Sequence, residues 1–103
     1  MELEQIYSVY FLGIGGIGMS ALARWFYANG YQVAGYDKNK TSLTNALEAE
    51  GILIHFDDDV KLIGDDFKDK ASTLVVYTPA VAKNHTELSF FLDNGFDVKK
   101  RAA

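Results

Sequence analysis

The chain has 103 residues, a length suited to one domain with one core. Its 49% hydrophobic and 23% charged residues match an ordinary globular protein and exclude a disordered or collagen-like chain. A formal charge of -4 is the wrong sign for gripping a nucleic-acid backbone. The absence of cysteine rules out disulfides, thiolate nucleophiles and cysteine zinc sites, and suits a reducing cytoplasm, the expected location.

Residues 6–23 carry no charge and just reach the length of a membrane span. That run holds Gly13, Gly15, Gly16 and Gly18, and Glu2 and Glu4 precede it where a signal peptide would carry Lys or Arg. It divides more naturally into a buried strand (residues 6–12), a glycine turn and a helix (residues 18–29). In the helix, Met19, Leu22, Ala23 and Phe26 recur on one face, and Gly30 supplies the stop. Trp25 and Tyr27 are expected to follow the core face, packing inward or against a neighbouring domain.

A second strand is expected over residues 31–36. A helix follows, capped by Thr41 or Ser42, carrying Leu43, Ala46 and Leu47 and ended by Gly51. A third strand spans residues 52–56, then an acidic loop and a short helix over residues 59–63. Residues 72–78 form a fourth, buried strand that Pro79 ends. Asn84 and Glu87 have the spacing of a capping box, opening a helix with Leu88, Phe91 and Leu92 inward and Gly95 at its end; a fifth strand spans residues 96–99. This alternation with short connections predicts an α/β fold: a doubly wound, Rossmann-like parallel sheet of about five strands, order 3-2-1-4-5. The sequence stops just past strand five without a closing helix, which suggests a piece of something longer.

Gly13-Ile14-Gly15-Gly16-Ile17-Gly18 is a Gly-x-Gly-x-x-Gly pattern between a strand and a helix, the context in which it holds a diphosphate. Gly13 is expected to allow the tight turn, Gly15 the approach of the diphosphate, and Gly18 close packing of the helix on strand one. The helix N-terminus supplies free N–H groups and the positive end of its dipole. A tight turn with no ligand would explain the glycines equally well, but two further features sit where a nucleotide needs them. Asp37 ends strand two, nineteen residues after Gly18, placed to accept hydrogen bonds from a ribose or base, although a solvated turn acid has the same pattern. Thr78, Pro79 and Ala80 end strand four, which lies beside strand one across the switch point.

Elsewhere the residues suggest no chemistry. His55 and His85 lack partners at metal spacing and read as surface histidines at a strand end and a helix start. Asp57, Asp58 and Asp59 read as a solvated acidic loop. Ser20 has no evident base, and no catalytic nucleophile or metal site is expected.

The run from Val9 to Ala23, with Gly-Gly-Ile-Gly-Met-Ser at its centre, resembles the start of the Mur ligases, ATP-dependent enzymes that build the peptide of bacterial peptidoglycan. Thr78-Pro79-Ala80-Val81 and Lys100-Arg101-Ala102 resemble the same family, so the likeness runs nearly the whole length of the chain. The Met19-Ser20 form resembles the members that join L-alanine to UDP-N-acetylmuramic acid; muropeptide-recycling members typically carry a cysteine in this loop that is absent here.

The resemblance implies that residues 1–103 are an N-terminal domain binding UDP-N-acetylmuramic acid, with ATP, Mg²⁺ and the amino acid bound by later domains. It places Gly13, Gly15, Gly16, Ile17, Gly18 and Met19 at the diphosphate, and Asp37, Thr78, Pro79 and Ala80 near the uridine. Two departures bear on the base contacts: Tyr36-Asp37 where the family often has Ser-Asp, and Asp57-Asp58 where it often has Gly-His. No glycine is followed by lysine, so the lysine-bearing end of a P-loop is missing and the chain alone is expected not to ligate. A nicotinamide-binding domain of a dehydrogenase or dinucleotide sensor would use Gly13, Gly15, Gly18 and Asp37 equally well. A scaffold domain whose glycine turn holds nothing is the third reading.

Overall fold

A computed structural model describes residues 5–82 and 84–101; Glu2, Glu4 and Ala102, cited above, lie outside them. Its strands are β1 (Ser8–Leu12), β2 (Gln32–Tyr36), β3 (Leu53–His55), β4 (Thr73–Tyr77) and β5 (Asp97–Lys100). They form one parallel sheet in the order β3-β2-β1-β4-β5. The helices are α1 (Ile17–Ala28), α2 (Ser42–Ala49) and α3 (Thr86–Asp93), with 3₁₀ turns at Val60–Leu62 and Asp65–Phe67. The doubly wound order expected from the alternation is the order found. The second 3₁₀ turn was not expected; it tucks Phe67 into the core.

All five residues of β1 are buried because the strand is central and helices cover both faces. Its side chains alternate between two apolar clusters. Val9 and Phe11 face Met19, Ala23 and Phe26 of α1 and Leu47 of α2. Tyr10 and Leu12 face Leu88 and Phe91 of α3, with Ile63 and Phe67 from the 3₁₀ segment. Truncating Phe11 or Phe91 to alanine would each cost about 3–5 kcal/mol.

Gly30, Gly51 and Gly95 follow the three helices with positive φ, as stop signals require. Thr41 is the cap of α2, its hydroxyl accepting the Thr44 N–H at 3.2 Å while Thr44 returns the bond to the Thr41 N–H at 2.8 Å. Three helix expectations need correction. Trp25 and Tyr27 are 51% and 41% exposed: the inward stripe of α1 is Met19, Ala23 and Phe26, and neither aromatic lies on it. Leu92 is 55% exposed, being one position past the Leu88–Phe91 stripe of α3. The N-cap of α3 is His85, not Asn84, and Glu87 is fully buried rather than folded back as a cap. Among the described residues no helix is long and apolar enough to cross a membrane.

Candidate functional site

The carboxyl ends of β1, β2 and β4 open onto a crevice of about 300 Å³ lined by Gly13, Tyr36, Asp37, Lys38, Asn39, Thr78, Ala80, Val81, Ala82 and His85. It lies at the switch point between β1 and its neighbours β2 and β4, where doubly wound sheets bind nucleotides. At its head the chain leaves β1 through Gly13, whose φ of 91° suits only glycine and whose N–H donates to the Tyr36 carbonyl at 2.8 Å. A Cβ there would stand 2.9 Å from Thr78 Oγ1, so Gly13 also lets the end of β4 close against the loop.

Gly16 is the N-cap of α1, and no side chain caps that helix. Its own N–H goes to the Gly13 carbonyl at 3.2 Å, and Ser20 N–H is the first to return into the helix, reaching the Gly16 carbonyl at 2.7 Å. The N–H groups of Ile17, Gly18 and Met19 therefore have no partner among the described residues, and no acidic residue stands in that first turn. The Ile17 side chain is 86% exposed, whereas the Met19 side chain is buried in the core, so Met19 offers the site only its backbone.

Gly15 and Gly18 each meet a side chain from another element. Gly15 N–H donates to Asp37 Oδ2 at 2.7 Å, and a Cβ on Gly15 would stand 2.7 Å from that oxygen. Asp37 spends its other oxygen, Oδ1, on the Asn39 N–H at 2.9 Å. It thus fixes the glycine loop and its own turn, and keeps one lone pair on each oxygen for a ligand. Gly18 faces the Arg101 guanidinium rather than strand one: a Cβ there would stand 3.1 Å from Nη2 and 3.2 Å from Nε. Arg101 is held at the end of β5 by its N–H to the Tyr77 carbonyl at 2.8 Å, and its side chain has no ion-pair partner among the described residues. An unpaired cation parked on the positive end of a helix is electrostatically unfavourable until an anion arrives. The family-like Lys100-Arg101-Ala102 marked this position in the sequence without giving it a role.

Thr78 and Ala80 line the crevice, while Pro79 lines a separate hollow with Tyr77, Val81, Leu88, Leu92 and Lys100. The two histidines are half-buried rather than open at the surface. His55 Nε2 lies 2.6 Å from Glu87 Oε2 and 3.1 Å from Tyr10 Oη, in a cluster where Tyr10 donates to Glu87 Oε1 at 2.5 Å and Asp59 N–H to Oε2 at 3.1 Å. Burial, and then the charge of Glu87, push the Tyr10 hydroxyl far above its usual range, so it remains a donor. The acidic loop is exposed, as expected, but two of its carboxylates also accept backbone N–H groups. Asp58 accepts the N–H groups of Thr86 at 2.8 Å and Glu87 at 3.0 Å, doing for α3 what a capping side chain does, and lies 3.2 Å from His85 Nδ1. Burial alone would raise its carboxyl, but those N–H groups and His85 outweigh it and hold Asp58 below its usual range. Asp59 caps the first 3₁₀ turn through Lys61 N–H at 2.9 Å.

Residues 8–103 match the Mur ligase family, catalytic domain. The chain belongs to the Mur ligase family. Among its relatives, the UDP-N-acetylmuramate–L-alanine ligase of Cytophaga hutchinsonii is 54% identical over 102 residues, covering 99% of this chain and 22% of that protein. The protein of the same name from Parabacteroides distasonis is 55% identical over the same shares. Among solved structures, the UDP-N-acetylmuramate-alanine ligase of Thermotoga maritima superposes with a TM-score of 0.80 at 32% identity, covering 91% of this chain and 20% of that one. The murein peptide ligase of Psychrobacter arcticus gives 0.73 at 27% identity, covering 89% and 18%. The chain spans 22% of the length of the first two relatives, so this Mur ligase sequence corresponds to about a fifth of those proteins.

Proposed function

We propose that this chain is the UDP-N-acetylmuramic acid-binding, N-terminal domain of a cytoplasmic ATP-dependent ligase that adds L-alanine to that sugar. One observation carries the reading: the N–H groups of Ile17, Gly18 and Met19, without partners among the described residues, share the head of α1 with the Arg101 guanidinium, which has no ion-pair partner among those residues. Two linked phosphates would take those donors, with Gly16 as the bend beneath them and the dipole adding about 0.3–1 kcal/mol. From there the crevice past Gly13 and Thr78 to Tyr36, Asp37 and Ala80 is the space for the uridine. The family likeness, and the activity for which the relatives are named, supply the identity of the sugar.

Mg²⁺ and a phosphate-gripping lysine would neutralise charge on the phosphoryl group transferred from ATP. This chain's residues do not fit that task, since no glycine is followed by the lysine that grips the phosphates. The chain's own work is to bind and orient the UDP-sugar; ATP, Mg²⁺ and L-alanine would be held by other parts of the polypeptide. Calorimetric titration with UDP-N-acetylmuramate, UDP, NADH and ATP tests this. Saturable heat with the two uridine compounds alone is expected; tight binding of NADH instead would make this a nicotinamide-binding domain. Detectable ligase turnover by these 103 residues would contradict the division of labour.

A further inference from the structure

The hollow beside Pro79 has a volume of about 320 Å³ and lies on the α3 side of the sheet, at the carboxyl ends of β4 and β5. It shares only Val81 with the crevice, and no carboxylate lines it. Leu88, 3% exposed, closes it toward the core, while Leu92, 55% exposed, leaves an apolar flank open. Its two polar side chains are neighbours: Tyr77 and Lys100 are partners in the parallel register of β4 and β5, so they leave the same face of strands about 4.8 Å apart. The Arg101 N–H, donating to the Tyr77 carbonyl at 2.8 Å, ties the two strands at this end. Among the described residues the Lys100 ammonium has no ion-pair partner and the Tyr77 hydroxyl no hydrogen-bond partner. Lys99 is different: it leaves the other face of β5 and pairs with Asp97 at 3.4 Å.

Two donors side by side, one of them charged, over an apolar hollow call for an anionic head on an apolar body. A carboxylate suits the head better than a phosphate. Its two oxygens match two donors and its single charge matches one ammonium, whereas a phosphate brings a charge of about −1.5 to −2 and a third oxygen with no donor. A dry cavity of about 150 Å³ holds benzene, so this hollow has room for a phenyl ring on a short acidic chain. We propose that the hollow is a second ligand site, taking a small monocarboxylate with an apolar tail. Lys100 Nζ and Tyr77 Oη donate to the carboxylate, and Val81, Leu88 and Leu92 cover the tail. The site does not depend on the uridine-nucleotide reading.

The test is an NMR titration of the unaltered chain, labelled at its backbone amides and its Leu and Val methyls, with phenylbutyrate and with its primary amide, which keeps the tail and loses the charge. Saturable shifts led by the methyls of Val81, Leu88 and Leu92 are expected, with the carboxylate binding about five- to tenfold tighter than the amide. Lys100→Gln should bring the two ligands within about twofold, and Tyr77→Phe should weaken the carboxylate about threefold. Both replacements keep the apolar stem or ring, and a thermal melt checks that each variant is folded. Equal affinities for the two ligands in the unaltered chain would overturn the proposal, as would a preference for the carboxylate that survives Lys100→Gln. Carboxylate affinity unchanged in Tyr77→Phe would overturn the two-donor head. Absence of saturable binding, or shifts led instead by the amides of Ile17, Gly18 and Met19, would overturn the site itself.

Discussion

Asp37 accepts the Gly15 N–H at 2.7 Å, joining the turn after β2 to the glycine loop after β1. The loop is therefore set by the protein before any ligand arrives, and an acid that the motif alone would assign to the ligand is partly spent on preorganisation. Asp37→Ala removes the latch: we expect UDP affinity to fall about tenfold, since a charge-assisted bond is worth about 1.5–3 kcal/mol and this one is partly screened. Asp37→Asn keeps an acceptor oxygen and should stay within about threefold of the parent. Calorimetry on the two variants checks both; equal losses would mean the charge, not the latch, matters.

Arg101 and Gly18 form a second pair. Arg101→Ala should weaken UDP binding about five- to tenfold and flatten its salt dependence, while leaving the melting temperature unchanged, because an exposed side chain with no ion-pair partner among the described residues stabilises little. Affinity measured at two salt concentrations, beside a thermal melt, is the check.

Gly18→Ala probes the same contact from the other side. A helical alanine is favoured over glycine by up to about 1 kcal/mol, so the fold should hold or gain slightly. Its methyl would stand 3.1 Å from Arg101 Nη2 and push the guanidinium aside, so UDP affinity should fall while the melting temperature does not. A loss of both would show that Gly18 packs against something other than Arg101.

The Tyr10–Glu87–His55 cluster is structural. Tyr10→Phe takes one of three donors from a fully buried carboxylate and should cost about 2 kcal/mol, roughly 10 °C in melting temperature, without altering nucleotide affinity. A thermal melt and a UDP titration on one sample test the two halves together.

Asp58 sets an acid limit on stability. Its folded carboxyl lies below the usual 3.8, so the stability it contributes is present above about pH 3.8 and is lost as pH falls through its lower folded value. Asp58→Asn should be less stable at neutral pH, with a shallower decline below about pH 4. Urea midpoints measured from pH 7 to pH 2.5 would show the two curves converging at the acid end.

The sheet order and the glycine turn into α1 were legible because each rests on local pattern: apolar runs bounded by glycine, a 3.6-residue stripe at Met19, Ala23 and Phe26, and a glycine motif between strand and helix. What was illegible depends on partners distant in sequence. Glu87 looked like half of a capping box with Asn84, yet it is claimed by Tyr10 and His55, 77 and 32 residues away. His55 and His85 gave no local sign of burial, since burial is decided by the crossing of α3 over the sheet. Arg101 had no periodicity to announce it and acquires its place only when β5 aligns beside β4. Trp25 and Tyr27 misled because aromatic residues flanking a core position share its neighbourhood in sequence but not its face.

The central claim is that the N–H groups of Ile17, Gly18 and Met19 hold a diphosphate. An NMR titration of the ¹⁵N-labelled chain with UDP-N-acetylmuramate reads those amides directly. Saturable shifts led by these three residues and the Arg101 side chain are the predicted result; saturable binding that leaves all three amides unmoved would contradict it.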